Sequence, residues 1–325
     1  MTTKTMIQAI NEAMRQEMER DSRVIVLGED VGKNGGVFRA TDGLFTQFGE
    51  NRVIDTPLAE SAIVGTSVGL AVNGIKPIAE IQFLGFAYEA MDQICSQAAR
   101  IRYRSGGRYT VPLVIRSPYG GGVRTPELHS DSLEALFTHT PGLKVVTPSN
   151  AFDAKGLLIS AIRDEDPVIF LEPMKLYRTM PMEVPDEAYQ VPLGKAKIVK
   201  EGNDLTIVTW GATVPLVEKI AHELSKTGTS VEVIDLRTLQ PLDLGTIIDS
   251  VEKTSRLMIV HEAVKTSGFG GEIAALVCEK ALFSLSAPIY RITGYDTPYP
   301  VATVEDEWLP NQERILKGIH EILDD

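Results

Sequence analysis

Cysteine, long apolar runs and excess basic charge are all scarce in this sequence of 325 residues. The two cysteines, Cys95 and Cys278, lie far apart in no metal-binding or redox spacing, which argues against a disulfide framework and indicates a reducing compartment. No apolar run reaches the roughly 20 residues that a bilayer-spanning helix needs. Residues 1–4 lead directly into an amphipathic pattern rather than a signal peptide. We therefore expect a cytoplasmic protein that does not enter a membrane.

The charge balance is acidic, with 32 Lys and Arg residues against 44 Asp and Glu residues and a formal net charge of −12. Binding to a nucleic acid backbone needs clustered cations that displace counterions. The composition therefore argues against a nucleic acid partner. A basic protein partner is easier to accommodate, because opposite charges steer association.

Short apolar runs rich in β-branched residues alternate with helical patterns, which is typical of a parallel sheet covered by helices on both faces. The chain is longer than the roughly 100–200 residues of one domain, so we predict an α/β fold with two doubly wound domains. Pro181, Pro185 and Pro192 interrupt the alternation. We place the boundary there and predict domains at 1–186 and 187–325.

The same pattern gives approximate bounds for each element. Strands are predicted at 24–28, 53–56, 77–82, 113–116, 144–147 and 168–171 in the first domain, and at 206–209, 231–236, 257–260 and 289–293 in the second. The longer helices are predicted at 5–20, 61–72, 88–104, 131–138, 151–163 and 314–323.

Glu60 is the first candidate site residue. It follows a predicted strand and Pro57, which suits the first turn of a helix because proline lacks the N–H that is unused there. The helix after Glu60 is built from small, uncharged residues, so we expect the carboxylate to be buried, where desolvation favours its protonated form. The alternative is a carboxylate that only complements the positive end of the helix.

His129 is the second candidate, because it follows the glycine-rich run 120–122. Asp131 and Glu134 are predicted to form an N-cap pair, which would place His129 just outside a helix N-terminus and keep its ring neutral. A neutral histidine in a flexible loop can donate a hydrogen bond to a substrate or act as an acid or base. The alternative is local packing, and His139 and His261 are weaker candidates.

Gln82 and Phe86 lie where a predicted strand ends and a helix begins. In parallel α/β sheets this edge binds ligands, so Phe86 is a candidate apolar wall of a binding site. A second stretch, 257–273, imitates a dinucleotide-binding fingerprint of strand, glycine turn and helix. Ile273 fills its third glycine position, so tight helix packing is the better interpretation. An NAD-binding oxidoreductase remains an alternative function.

Several motifs occur together in a characteristic order over essentially the whole chain. They lie at 26–32, 35–39, 55–61, 80–83, 102–107 and 153–157. In that order the sequence closely resembles the β subunits of the thiamine-diphosphate-dependent decarboxylase component of 2-oxo acid dehydrogenase complexes, within the transketolase-like superfamily. The resemblance implies a pyrimidine-binding first domain, with a mainly parallel sheet, and a transketolase-like second domain.

The resemblance assigns roles to the candidate residues. Glu60 would hydrogen-bond N1′ of the aminopyrimidine ring of thiamine diphosphate, and a proton held there activates the cofactor. Leu58, Gln82, Phe86 and Glu29 would contact or tune the same ring. His129 would act in decarboxylation or in acyl transfer to a lipoyl group.

The family binds the cofactor diphosphate through Mg²⁺ with a Gly-Asp-Gly motif, which this sequence lacks. The resemblance therefore implies a shared site, in which an α subunit of an α₂β₂ assembly holds most of the Mg²⁺ ligands. It also implies that the second domain docks the subunit-binding domain of an acyltransferase core, whose lipoyl domain accepts the acyl group. Some family members use a potassium site that matches Leu113, Ala161, Ile162, Asp164 and Asp166; a solvated acidic turn is the alternative.

The substrate branch is less sharply indicated. The segment 122–129 is similar to the pyruvate-specific branch, whereas 260–263 and 294–298 are more similar to the branched-chain branch. Because 122–129 is nearer the predicted chemistry, we favour pyruvate, with branched-chain 2-oxo acids and acetoin as alternatives. A non-catalytic assembly subunit is the alternative of a different class.

Overall fold

A computed structural model describes residues 1–324. Its strands are β1 Thr2–Lys4, β2 Val24–Gly28, β3 Val53–Asp55, β4 Lys76–Glu80, β5 Val114–Tyr119, β6 Lys144–Val146, β7 Val168–Pro173, β8 Met182–Val184, β9 Lys197–Lys200, β10 Leu205–Thr209, β11 Val231–Asp235, β12 Thr238–Gln240, β13 Leu257–Val264 and β14 Tyr290–Gly294. Its α-helices are α1 Met6–Arg20, α2 Leu44–Phe48, α3 Glu60–Val72, α4 Ile101–Arg104, α5 Glu134–Thr138, α6 Ala151–Arg163, α7 Val214–Ser225, α8 Leu244–Thr254, α9 Phe269–Ala281, α10 Glu305–Trp308 and α11 Gln312–Asp324.

The first sheet has seven strands in the spatial order β12, β6, β7, β5, β4, β2, β3. All neighbours pair in parallel except β12, which pairs antiparallel with β6. The strand β12 comes from the sequence after the predicted boundary at 186, so the chain returns to the first sheet once. The second sheet has the order β14, β13, β10, β11, β9, and only β9 is antiparallel. The predicted α/β fold with two mainly parallel sheets is confirmed.

Both faces of the first sheet are buried, as its apolar strands predict. In β2, Val24 and Val26 pack in a core that includes α1 and α6, whereas Ile25 and Leu27 pack in a core that includes α3. Successive side chains of a strand point to opposite faces, so one strand supplies both cores. The core on the α3 side continues into β10, β11 and β13 of the second sheet. The two sheets therefore share one continuous apolar interior.

Three local predictions are wrong. The helix predicted at 88–104 is instead a 3₁₀ segment, Leu84–Ala90, a π-helical segment, Asp92–Ala98, and the short α4. The segment Leu84–Ala90 is tightly wound where the chain 127–129 packs on it: a Cβ at Gly85 would overlap the Leu128 carbonyl oxygen. The helices predicted to begin near Pro57 and at Asp131 have Ala59 and Leu133 as their N-caps instead. Within residues 1–324, none of the helices combines the length and apolar character needed to span a bilayer.

Candidate active site

The candidate residues gather at the carboxyl edge of the first sheet. Glu60, Glu29 and Gln82 follow the neighbouring strands β3, β2 and β4, and the run 120–122 follows β5. Parallel strands end at the same edge, so four consecutive connections meet there. The sheet therefore brings together segments that are up to about a hundred residues apart in the sequence.

Glu60 is the first residue of α3, and 7% of its surface is exposed. This burial was predicted from the small residues that follow it. Within residues 1–324 its carboxylate makes no hydrogen bond or ion pair. Glu29 lies near enough to respond to it. Burial raises the pKa of Glu29, and the carboxylates of Asp30 and Glu60 raise that pKa further. Two carboxyl groups thus lie close together at the edge of the sheet, and Glu60 is left with an unused acceptor.

The residues before Glu60 differ from the prediction. Ala59 is the N-cap of α3, so Pro57 precedes the helix rather than forming its first turn. The extended backbone of Ala59 separates the proline from the helix. Leu58 is 70% exposed and lies on the rim of the site.

The loop after β2 is fixed to the end of β3 by Asp55. One carboxylate oxygen of Asp55 accepts the Gly32 N–H at 2.5 Å, and the other accepts the Lys33 N–H at 3.2 Å. A Cβ at Gly32 would lie 2.7 Å from that carboxylate, so only glycine fits. This contact holds the connection that carries Glu29 beside the connection that carries Glu60.

His129 lies against two phenylalanines from the connection after β4. Its ring centroid is 4.4 Å from that of Phe83 and 5.1 Å from that of Phe86, both in edge-to-face geometry. The Nδ1 atom of His129 is buried and has no hydrogen-bond partner among residues 1–324. Buried polar atoms without partners are rare in folded proteins. The ring is thus held by apolar contacts, with an unused polar atom.

The predicted reason for a neutral His129 is wrong. The helix after it, α5, begins at Glu134 with Leu133 as N-cap, and His129 closes a separate 3₁₀ turn, Glu127–His129. Asp131 and Glu134 do not form an N-cap pair, because the Glu134 carboxylate instead accepts the Trp210 Nε1–H at 3.2 Å. Since α5 begins five residues after His129, the imidazole does not lie just outside its N-terminus as predicted.

Gln82 and Phe86 lie where the sequence predicts them, on the connection that leaves β4. Both are half-buried, and Gln82 makes no side-chain hydrogen bond within residues 1–324. Phe86 also contacts Phe83, with ring centroids 5.8 Å apart. The structure thus joins Phe86 to His129 directly. Gln82 lies at the same edge of the sheet, because it follows β4, which pairs in parallel with β2.

A buried ion cluster below this edge was missed by sequence reasoning. Arg116 on β5 is 1% exposed, and its guanidinium donates to both oxygens of Glu172 at 2.6 and 2.7 Å and to Glu80. Tyr177 donates a further hydrogen bond to Glu172 at 2.6 Å. Buried charges persist only when paired in this way. Its members lie on the strands β4, β5 and β7 and on the connection after β7, so no local spacing reveals them.

The glycine turn before α9 serves helix packing, as predicted. A Cβ at Gly270 would lie 2.8 Å from His261 Nε2, and one at Gly268 would overlap the Val264 carbonyl oxygen. The His261 ring stacks on Trp210 with centroids 4.9 Å apart. Burial lowers the pKa of His261 to about 3, and Arg291 lowers it further. This histidine is therefore a neutral residue of the interior.

The acidic turn after α6 already has cationic partners. Lys144 Nζ lies 2.7 Å from both carboxylate oxygens of Asp164, and Lys76 Nζ donates to the Ile162 carbonyl at 3.2 Å. Asp166 pairs with Arg102 at 2.6 Å. The other two predicted potassium ligands, the carbonyls of Leu113 and Ala161, accept the N–H groups of residues 168 and 164.

The potassium site stays a prediction, in which the ion shares these oxygens with Lys76 and Lys144. Carbonyl and carboxylate oxygens are suitable ligands, and a cage of fixed size distinguishes potassium from the smaller sodium ion. We expect the melting temperature to rise more in potassium chloride than in sodium chloride at equal ionic strength. Equal responses to the two salts, measured by calorimetry, would remove the site.

Two family models match the chain. The transketolase pyrimidine-binding domain matches residues 2–180, and the transketolase C-terminal domain matches residues 194–315. Among curated proteins, pyruvate dehydrogenase E1 component subunit beta of Bacillus subtilis is 56% identical over 324 residues and covers 100% of both chains. The protein of the same name from Staphylococcus aureus is 55% identical, again over 100% of both chains.

Solved structures support the same fold. A split-gene transketolase, described as an inactive β₄ tetramer, aligns with a TM-score of 0.81 at 21% identity and covers 98% of both chains. Transketolase from Pichia stipitis, as the mutant R525L, aligns with a TM-score of 0.71 at 14% identity, and the match covers 100% of this chain but 46% of that one. At these identities the likeness concerns the fold alone.

Proposed function

Because the chain belongs to the family of pyruvate dehydrogenase E1 component β subunits, we propose that it works with an α subunit in the oxidative decarboxylation of pyruvate. In this function the α₂β₂ enzyme uses thiamine diphosphate and transfers the acyl group to the lipoyl domain of an acyltransferase core. The observation that carries the proposal is the full-length identity of 55–56%. It favours this function over an NAD-binding oxidoreductase, a branched-chain enzyme or an acetoin enzyme.

The carboxyl edge of the first sheet fits the pyrimidine end of thiamine diphosphate. Glu60 and Gln82 are at least half-buried, and their side chains make no hydrogen bonds within residues 1–324. Phe86 offers an apolar face beside them. When bound, thiamine diphosphate would supply the electron sink for the electron pair that stays on the substrate carbon when CO₂ departs. The unused acceptor of Glu60 supports the role of holding a proton at N1′. Glu29 and Leu58 would make further contacts with the aminopyrimidine ring.

His129 is the residue of this chain best suited to act on the substrate. Phe83 and Phe86 hold its ring by apolar contacts alone, so no hydrogen bond within residues 1–324 competes for its buried Nδ1. An imidazole held in this way can donate to the substrate carboxylate or carbonyl, or carry a proton during acyl transfer.

The rest of the catalytic site would come from the α subunit. The sequence lacks Gly-Asp-Gly, so we propose that the α subunit holds Mg²⁺ and the diphosphate. Docking to the acyltransferase core is assigned to the second domain, where α11 carries exposed acidic residues, among them Glu313 and Glu321, that would attract a basic partner.

The substrate assignment is tested by steady-state kinetics of the assembled enzyme. We expect kcat/KM for pyruvate to exceed that for 3-methyl-2-oxobutanoate by at least about 10-fold, since the extra methyl groups must be excluded from a pocket built for a smaller acid. A ratio that favours the branched acid would overturn the pyruvate assignment and leave the cofactor assignment intact.

A further inference from the structure

The loop that carries His129 is anchored in its first half by the second domain. This loop, residues 120–131, is closed at its base by a hydrogen bond of 3.4 Å from the Gly120 N–H to the Asp131 carbonyl. Its first half, 120–124, extends from the end of β5 to the second domain, and its second half returns with His129. The first half of the loop therefore links the second domain to the segment that carries His129.

Glu305, the first residue of α10, makes the central contacts. Its Oε1 atom accepts the backbone N–H groups of Gly122 at 3.0 Å and Arg124 at 3.2 Å, and the Tyr299 hydroxyl at 2.6 Å. Only 1% of Glu305 is exposed. A buried carboxylate that accepts three hydrogen bonds is well satisfied, and hydrogen bonds to a charged acceptor are stronger than neutral ones.

A second buried carboxylate, Glu262 at the end of the second sheet, holds the neighbouring residue. Its Oε2 atom accepts the Gly121 N–H at 3.1 Å. Burial raises the pKa of Glu262 to about 7, while the hydrogen bond from Gly121 and the charge of Lys175 lower it. The Arg124 guanidinium adds an ion pair with Asp306 at 2.6 Å.

The glycine run is required by this contact. A Cβ at Gly120 would lie 2.5 Å from Glu262 Oε2, one at Gly121 would overlap the Tyr299 hydroxyl, and one at Gly122 would lie 2.6 Å from Lys175 Cδ. Gly120 and Gly122 also have φ angles of +78° and +87°, which other residues rarely adopt. The glycines therefore allow the loop to approach the second domain closely, so that this part of the loop is packed.

We propose that Glu305 is a positioning residue for His129: through Gly122 and Arg124 it fixes the loop that presents the imidazole to the substrate. This inference rests on the proposed function of His129. It also gives the second domain a part in decarboxylation, although that domain carries none of the residues assigned to the cofactor. Glu262 supports the same loop one residue earlier.

The test uses the assembled α₂β₂ enzyme. Glu305→Ala removes all three bonds, and Glu305→Asp keeps the charge but withdraws the oxygen by one methylene. We expect both to lower kcat for pyruvate decarboxylation by about 10- to 100-fold, because small displacements of a catalytic group are costly, with KM little changed. Glu305→Gln keeps an oxygen where all three donors converge, so it should restore most of the rate. Glu307→Ala, at an exposed position of the same helix, is the matched control and should behave as the parent enzyme.

A double-mutant cycle shows whether Glu305 acts through His129. In a His129→Ala background, Glu305→Ala should have little further effect on kcat, because the group it positions is already gone. Additive losses would overturn the proposal, as would a Glu305→Ala enzyme with parental kcat. Neither result would affect the proposed function, which the parent enzyme tests separately.

Limited proteolysis reports on the loop without any catalytic activity. The Arg124 side chain is 52% exposed but paired with Asp306, so trypsin should cleave the full-length chain slowly after Arg124. Glu305→Ala should accelerate that cleavage, and Glu305→Gln should not. Equal cleavage rates in the Glu305→Ala and parental chains would overturn the proposal even if the assembled enzyme proved inactive.

Discussion

Replacing Glu60 with glutamine should lower pyruvate decarboxylation by the assembled enzyme by at least about 10²-fold, the usual lower range for loss of a positioned acid or base. Glutamine has nearly the same shape and accepts a hydrogen bond, but it cannot hold and release a proton at N1′. Because the Glu60 side chain makes no hydrogen bond within residues 1–324, the substitution breaks no side-chain hydrogen bond of the described chain. The loss should therefore appear in kcat, measured with saturating thiamine diphosphate and Mg²⁺.

Assembly separates this effect from misfolding. Glu60→Gln should still form the α₂β₂ particle with the α subunit, as judged by size-exclusion chromatography with light scattering. Glu50→Gln makes the same chemical change at an exposed position before β3 and should leave the rate unchanged. An assembled Glu60→Gln enzyme that retained most of its activity would refute the N1′ role and favour a non-catalytic assembly subunit.

Replacing His129 with alanine should lower turnover by about 10²-fold or more through loss of its acid–base or hydrogen-bonding function. The ring contacts Phe83 and Phe86, so its removal also leaves a small cavity between them. Single-turnover measurements with pyruvate, and separately with a lipoyl domain as acceptor, would show whether the loss falls on decarboxylation, on acyl transfer or on both.

Two variants distinguish chemistry from packing at this position. His129→Phe fills the space between the phenylalanines but supplies no polar atom, so we expect it to be as slow as His129→Ala. His320→Ala, at an exposed position on α11, is the matched control. Near-parental turnover in His129→Phe would return this histidine to a packing role.

Sequence patterns predicted the structural features that depend on residues close together in the sequence. The β-branched runs of β2 and β7 are buried on both faces, which is why they stand out as continuous apolar segments. The burial of Glu60 followed from the small residues of α3. The position of Gln82 and Phe86 at the sheet edge followed from the order of strand and helix.

Other features depend on distant contacts and could not be predicted in this way. The helix α5 starts at Glu134 rather than Asp131, and the Glu134 carboxylate accepts a hydrogen bond from Trp210 of the second domain. The glycine run 120–122 was recognised as a flexible loop, but its packing partners lie more than a hundred residues later, at Glu262 and Glu305. The ion cluster around Arg116 is equally non-local. In each case the structure depends on contacts between residues that are far apart in the sequence, and the periodicity of a sequence does not predict such contacts.

The most direct test of the shared site is a decarboxylation assay with pyruvate, thiamine diphosphate and Mg²⁺, performed on this chain alone, on its α subunit alone and on the mixture. We expect only the mixture to be active, because this chain supplies the pyrimidine end of the site and the α subunit supplies the diphosphate end. Activity from this chain alone would contradict the shared site. An inactive mixture that nevertheless forms the α₂β₂ particle would contradict the proposed reaction.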